Sequence, residues 1–166
     1  MKARAEQDRA NAYRIAALNL QAPIGVQFNI SSWSNKAQRA FDTQWQPLER
    51  KLDWKWDEIF ETHRDFDKLD MAIWSGEALC GLALGLTTGA ALNLRFLEGS
   101  PNPDCPLKGR RILVALEASA CYAQARGKKE IRLSPINSSL ESLYRDTYGF
   151  DLEIPAKGEP YYRKGV

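Results

Sequence analysis

A cluster of basic residues surrounds a single glycine at the start of the clearest predicted helix. Lys108, Gly109, Arg110 and Arg111 precede an amphipathic stretch that begins at Ile112. Cations at a helix N-terminus are locally unfavourable, because the free backbone N–H groups there already carry partial positive charge. A bound anion would compensate, since helix N-termini are ready-made anion sites. The pattern favours a pyrophosphate, and hence a nucleotide-type cofactor, over the alternative of a merely solvated helix start.

The composition is that of a single globular domain. The chain has 166 residues, of which 44% are hydrophobic and 27% charged, and this length allows a sizeable core. The net charge of +2 neither implies nor excludes a nucleic-acid partner. The longest apolar run, Ala78 to Leu86, is far too short to span a membrane. The charged first residues lack the apolar region of a secretory signal.

The metal and redox residues are few and scattered. Cys80, Cys105 and Cys121 form no C-x-x-C pair, so we expect reduced thiols in a cytoplasmic protein. With His63 as the only histidine, no zinc constellation is predicted.

Helices dominate the first part of the predicted structure. Alanine-rich spacing predicts a helix over Lys2 to Leu20, which Pro23 should end. Alternation from Val26 to Ile30 predicts a half-buried strand. A helix capped by Ser34 or Asn35 should run to about Trp45, and another should cover Leu48 to His63. Core packing is expected for at least two of the four tryptophans here, and the others are candidates to line an acceptor pocket.

Strands follow in the middle of the chain. Alternation over Leu69 to Ile73, the apolar run Ala78 to Leu86, and Ala90 to Leu97 predict three strands, with Leu92, Leu94 and Phe96 on one face of the third. The turns Ser75-Gly76-Glu77 and Thr87-Thr88-Gly89 join them, so an antiparallel meander is expected.

The last part returns to alternating elements. A helix over Ile112 to Arg126, stopped by Gly127, should lead to a strand over Glu130 to Leu133, then to a helix ending near Tyr148 and to closing strands. The predicted fold class is α/β (α+β), a mixed, mostly antiparallel sheet with helices on both faces. We expect an N-terminal helical extension over residues 1–22 and one domain over residues 23–166.

This order of elements resembles the GCN5-related N-acetyltransferase (GNAT) superfamily from about Lys68 to Arg163. In that superfamily three antiparallel strands lead to a pyrophosphate-binding turn and helix, then to a parallel strand, a helix and a closing hairpin. The second helix carries the best match, in Asn137, Leu140, Leu143, Tyr144, Gly149 and Phe150. One extra residue separates Tyr144 from Gly149, so either Tyr144 or Tyr148 would face the cofactor sulfur.

The turn departs further from the family pattern. Pro106 stands where Gln or Arg is usual, and Arg111 stands where a small residue is usual. The resemblance implies acetyl-CoA as cofactor. It would be held by the family's fourth strand, which Ala90 to Glu98 matches, by the turn, and by the helix from Asn137 to about Tyr148. The implied cofactor-binding residues are Leu94, Phe96, Leu97, Lys108, Gly109, Arg110, Arg111, Ile112, Asn137 and Tyr144.

The resemblance also implies two catalytic residues. Glu98, at the end of the fourth strand, is the candidate general base that takes the amine proton, directly or through water. Tyr144 is the candidate general acid for the leaving thiolate. The ordinary alternative for Glu98 is a solvated carboxylate, and for Tyr144 it is a packed side chain. For Asn137 the alternative to cofactor binding is a helix cap. His63 is a candidate second base, although a helix-end residue is the more ordinary interpretation.

The implied function is acetyl-CoA-dependent transfer of an acetyl group directly to an acceptor amine. A small molecule, a protein or an aminoacyl-tRNA would each serve as acceptor. The N-terminal helix is a candidate interface for a homodimer, and a tRNA or DNA partner stays open although no sequence feature supports it. Two rival functions remain, a non-catalytic binding module on the same fold and a transferase of this fold that acts on nucleic acid.

Overall fold

A computed structural model describes residues 2–134 and 138–166. The helices are α1 (Lys2–Ile24), α2 (Asn35–Ala40) with a π-helical turn (Phe41–Trp45), α3 (Trp56–Thr62), α4 (Arg111–Ala125) and α5 (Ser138–Ser142) with a second π-helical turn (Leu143–Thr147). The strands are β1 (Asn29–Ser31), β2 (Leu69–Ser75), β3 (Ala78–Thr88), β4 (Ala91–Gly99), β5 (Glu130–Leu133), β6 (Asp151–Glu153) and β7 (Tyr161–Gly165).

The described strands form one mixed sheet in the order β1-β2-β3-β4-β5-β7-β6. Strands β4 and β5 run parallel, whereas the other neighbouring pairs are antiparallel. The predicted meander over β2, β3 and β4 is confirmed, and so is the mostly antiparallel sheet with helices. None of the helices in the described residues is long and apolar enough to cross a membrane.

Each face of the sheet carries its own hydrophobic core. Helices α1 and α4 cover the first face, where Ala16, Met71 and Tyr122 are buried together. Helices α2 and α3 cover the second face, where Trp45 and Trp56 are fully buried. Trp33 and Trp54 pack at the edge of this second core and are half-buried, so the expectation that at least two tryptophans are core residues is confirmed.

The N-terminal helix is longer than predicted. It continues through Pro23 to Ile24, so the prediction that Pro23 ends it is wrong. The stop is Gly25, whose φ of 72° is a left-handed conformation that glycine adopts without strain. Its N–H donates to the carbonyl of Gln21 at 2.9 Å. Because α1 packs along α4, this helix belongs to the first core.

The second predicted helix of the tryptophan-rich region is much shorter than expected. Only Trp56–Thr62 is helical, and residues 49–55 form an irregular segment. The side chain of Arg50 organises this segment, because its Nη2 donates to the carbonyl of Trp54 at 2.8 Å. Ser34, in contrast, caps α2 as predicted, accepting a hydrogen bond from Ala37 N–H.

A β-bulge interrupts β4 at the point where the sheet opens. Leu84 of β3 pairs with Phe96 and Gly85 pairs with Leu94, so Arg95 is the extra residue. The bulge reverses the alternation of side chains. Leu92, Leu94 and Leu97 face the first core, whereas Phe96 faces the second, and the prediction that Phe96 shares a face with Leu94 is wrong.

Candidate active site

A cavity of 420 Å³ lies where β4 and β5 separate. The parallel pairing reaches Leu94 and Leu133, whereas β4 continues to Gly99 and β5 ends at Leu133. The free part of β4 forms one wall, and the start of α4 and the second π-helical turn form the others. The lining residues are Trp54, Leu94, Arg95, Leu97, Gly99, Gly109, Arg111, Ile112, Leu133, Ser134, Leu140, Leu143, Tyr144 and Tyr148.

The predicted anion turn forms one end of this cavity. Gly109 has a φ of 83°, and an added Cβ would meet open space rather than protein atoms. Two tight turns lead into α4, with Lys108 N–H donating to the Cys105 carbonyl at 3.1 Å and Arg110 N–H donating to the Leu107 carbonyl at 2.9 Å. The chain therefore reaches the helix start in a conformation that suits glycine at this position.

The three basic side chains of the turn point in different directions. Arg111 lines the cavity and donates to the Ser100 carbonyl at 2.9 Å. It lies so close over Gly99 that a Cβ there would be 2.3 Å from its Cζ. Arg110 instead donates to the Ile24 carbonyl at the end of α1, and Lys108 is exposed. Of the three predicted cations, the structure therefore brings Arg111 to the cavity.

Tyr144 also lines the cavity and is 5% exposed. Burial and the neighbouring Tyr148 raise the pKa of its phenol to about 12, so the hydroxyl is protonated at neutral pH and can donate a hydrogen bond. Tyr148 also lines the cavity, and burial raises its pKa as well. Both candidates for the position that faces the cofactor sulfur are thus adjacent to the same space.

The extra residue between Tyr144 and Gly149 has a structural explanation. Residues Leu143–Thr147 form a π-helical turn, in which Tyr148 N–H donates to the Leu143 carbonyl at 3.2 Å. A π-helical turn accommodates one more residue than an α-helical turn does, and such turns are frequent at functional sites. The turn closes at Gly149, whose φ is 73°.

Glu98 lies on the other face of the sheet, where it is 7% exposed. Its Oε1 accepts from Arg50 Nη2 at 2.7 Å and from Trp56 Nε1 at 2.8 Å, and its Oε2 accepts from Arg50 Nε at 2.9 Å. Arg50 and Trp56 hold the side chain of Glu98 on that face, and Glu98 is not among the described residues that line the cavity. The geometry does not favour the predicted role of general base.

The remaining predicted residues fall in three places. The side chains of Leu94, Leu97 and Ile112 line the cavity. The Phe96 side chain faces a shallow groove beside Trp54 and His63, with its ring 5.8 Å from the imidazole. Asn137 lies outside the described residues.

Trp54 is one of the tryptophans that the sequence makes candidates to line a pocket, whereas Arg50 carries no usable signal in the sequence. Trp54 lines the cavity from an irregular segment where a helix was expected, and it reaches β4 through an edge contact with Phe96 at 5.2 Å. Arg50 holds that segment in place, and its partner Glu98 lies 48 positions later in the sequence. A pairing of this separation has no local pattern. Within the described residues, no group of three or more His, Cys, Asp or Glu side chains comes together as a metal site would require.

No protein-family model and no curated protein sequence matches this chain. Solved structures do match. They include a ribosomal-protein-S18-alanine N-acetyltransferase from Escherichia coli (15% identity, covering 84% of this chain and 94% of that one, TM-score 0.60). Ard1 from Thermoplasma volcanium matches at 12% identity over 84% and 97%, with a TM-score of 0.59. The PaiA N-acetyltransferase from Thermoplasma acidophilum, in complex with coenzyme A, matches at 14% over 85% and 100%, with a TM-score of 0.51.

The chain has the GNAT fold. The fold that the sequence pattern predicted is therefore confirmed. Because the identities are this low, the likeness extends to the arrangement of helices and strands. In this arrangement α4 is the helix that follows the expected pyrophosphate turn.

Proposed function

We propose that this protein is an acetyl-CoA-dependent N-acetyltransferase that moves the acetyl group directly to an acceptor amine. The observation that carries the proposal is the cavity between the free part of β4 and the second π-helical turn. Gly109, Arg111 at the start of α4 and the protonated Tyr144 all line it. Acetyl-CoA carries phosphates and a thioester, so it requires both an anion-binding group and a proton or hydrogen-bond donor.

The residues at the anion end fit the cofactor. The open space over Gly109 leaves room for a pyrophosphate beside the first N–H groups of α4. Arg111 supplies the positive charge, since its guanidinium lines the cavity. Leu94 and Leu97 give the same cavity apolar lining, and the main chain of β4 beyond Leu94 can hydrogen-bond an extended arm.

Each chemical task has a candidate group. Bound acetyl-CoA supplies the acetyl thioester, whose C–S bond breaks as the acceptor nitrogen forms the new C–N bond. Tyr144 lines the cavity with a hydroxyl that is protonated at neutral pH, and it donates a hydrogen bond or a proton to the departing sulfur. Glu98 acts as a positioning residue that holds the Trp54 segment through Arg50. The amine proton passes to solvent.

The cofactor site is tested by calorimetric titration of acetyl-CoA into Arg111→Gln and the matched variant Lys108→Gln. Each removes one positive charge from the same turn, but only Arg111 lines the cavity. We expect affinity to fall about tenfold or more for Arg111→Gln, the effect of losing one charge-assisted hydrogen bond, and about twofold or less for Lys108→Gln. Equal losses would show that only the overall charge matters. Absence of binding by the wild-type protein would favour a non-catalytic module.

The chemical step is tested with Tyr144→Phe, in an assay of coenzyme A release with a panel of primary amines and with peptides carrying free N-termini. We expect kcat to fall about 100-fold or more, the usual contribution of a positioned proton donor. Affinity for acetyl-CoA should change little. Tyr148→Phe is the matched control, and a larger effect there would assign the proton donor to Tyr148.

A further inference from the structure

Two of the three cysteines lie side by side in the first core. Cys80 belongs to β3 and is fully buried, whereas Cys105 belongs to the loop between β4 and α4 and is 8% exposed. Both are free thiols, and the Cys80 thiol donates a hydrogen bond to the sulfur of Cys105. The end of β4 brings the loop beside β3, because Ser100 N–H donates to the Cys80 carbonyl at 2.9 Å.

Cys105 is the member of the pair that a small molecule can reach. It lines a cavity of 530 Å³ at the end of β4, together with the exposed residues Glu77, Asn102 and Pro106. Cys80 is not among the described residues that line this cavity. The pair therefore has one thiol at a cavity wall and a second, buried thiol directly behind it.

The surroundings of Cys105 favour its thiolate, which is the nucleophilic form of cysteine. The hydrogen bond from Cys80, the main chain of Leu107 and the charge of Arg111 lower the pKa of the Cys105 thiol. The same hydrogen bond raises the pKa of Cys80, so Cys80 keeps its proton and remains the donor. A reachable thiolate beside a second thiol is the arrangement of cysteines that sense oxidants.

We propose that Cys105 is an oxidation site and that Cys80 converts the oxidised form into a disulfide. A hydroperoxide is the oxidant. The Cys105 thiolate attacks its O–O bond, takes one oxygen to form a sulfenic acid, and releases hydroxide or an alkoxide. The Cys80 sulfur then attacks the Cys105 sulfur and loses its proton, so that an S–S bond forms and the oxygen leaves as water. A dithiol reductant returns both thiols.

The disulfide would tie the anion turn to the sheet. The Cys105 carbonyl accepts from Lys108 N–H at 3.1 Å, in the first of the two tight turns that lead to Gly109. Cys80 lies within β3, in the middle of the sheet. The site goes beyond the proposed acetyl transfer and does not depend on it.

The test is treatment of the wild-type protein with hydrogen peroxide, followed by alkylation of the remaining thiols, trypsin digestion without reductant, and mass spectrometry. The three cysteines fall on separate tryptic peptides, 69–95, 96–108 and 112–126. We expect peptides 69–95 and 96–108 to be linked, peptide 112–126 to be alkylated, and dithiothreitol to restore three free thiols. Any other linkage, or no linkage, would overturn the proposal.

Two variants separate the steps. In Cys80→Ser we expect Cys105 to stop at the sulfenic acid, which dimedone traps. In Cys105→Ser the buried, protonated Cys80 should take up dimedone at least about tenfold more slowly. Equal labelling in the two variants would contradict the assigned roles. Cys121→Ser is the matched control and should form the disulfide as the wild type does, because burial and Glu117 raise the pKa of the Cys121 thiol.

The melting temperature shows whether the folded chain accommodates the bond. A disulfide that fits the native structure stabilises it by restricting the unfolded chain, so the oxidised protein should melt about 5–10 °C above the reduced protein. A lower melting temperature would mean that the bond forms only by distorting the fold, and the proposal would fail. Since these measurements contain no acetyl-CoA, failure here and failure of the acetyl-CoA titration are separate results.

Discussion

Two buried carboxylates on the same face of the sheet are satisfied to different degrees. Glu98 accepts three hydrogen bonds, two of them from Arg50, and both side chains of the pair are less than 10% exposed. Asp70 is equally buried and lies 3.6 Å from Arg9, but its Oδ1 accepts no hydrogen bond within the described residues. The difference teaches that burial and an ion pair do not by themselves fix what a carboxylate contributes. A carboxylate with both oxygens engaged should contribute more stability than one that leaves an oxygen without a hydrogen bond.

The largest effect is expected at Glu98. In Glu98→Gln the amide nitrogen must face a donor from Arg50 or Trp56, and Arg50 loses its counter-charge. We expect the free energy of unfolding to fall by about 3–5 kcal/mol, as when one partner of a buried pair is removed. Urea denaturation measures the change. A loss below about 1 kcal/mol would mean that the pair is effectively solvated, and the comparison would then fail.

The buried, neutral side chain of Tyr144 should have a smaller effect on stability than Glu98→Gln, and that effect depends on pH. The pKa of Tyr144 is about 12, above its ordinary value of 10.0, because burial and Tyr148 disfavour the phenolate. The folded state therefore holds this proton more tightly than the unfolded chain, and the associated stability is lost as the pH rises from 10 towards 12. Relative to Tyr144→Phe, the wild type should lose about 1 kcal/mol between about pH 9 and about pH 11. If the free energies of unfolding of the two proteins changed with pH in the same way, the raised pKa of Tyr144 would be contradicted.

Asp70→Asn should be the milder of the two carboxylate-to-amide changes. The side-chain oxygen can still accept from Trp33 N–H, and the new amide group takes the place of an oxygen that makes no hydrogen bond. Arg9 retains its two carbonyl acceptors. We expect a loss of about 1 kcal/mol in the free energy of unfolding, measured as for Glu98→Gln. A loss as large as at Glu98 would show that Asp70 is as structural as Glu98.

The smallest effect is expected at a surface pair. Lys36 and Glu77 approach to 3.6 Å, but their side chains are 57% and 87% exposed. We expect Glu77→Gln to change the free energy of unfolding by less than about 0.5 kcal/mol, because exposed pairs are screened and mobile. It serves as the matched control for Glu98→Gln, and a larger effect would imply an unrecognised role for Glu77.

Local patterns predicted most of the fold, whereas distant contacts decided what was missed. Alternation and turns predicted β2, β3 and β4, and the Gly109 turn and Tyr144 were found from a short motif. The bulge at Arg95 was missed because it depends on how β4 registers with β3. The irregular segment that carries Trp54 depends on the bond between Arg50 and Glu98, which are 48 positions apart. No window of neighbouring residues contains that information.

The packing of α1 on α4 has a consequence for how the chain folds during synthesis. Asp8 pairs with Arg126 across 118 positions, and Ala12, Ala16 and Leu20 share the core with α4. At a synthesis rate of about 5–20 residues per second, the last residue of α4 is added roughly 5–20 s after the last residue of α1. For that interval α1 can pack on earlier elements such as β1 but not on α4. The first helix to be made thus completes its packing only after more than half of the chain has been synthesised.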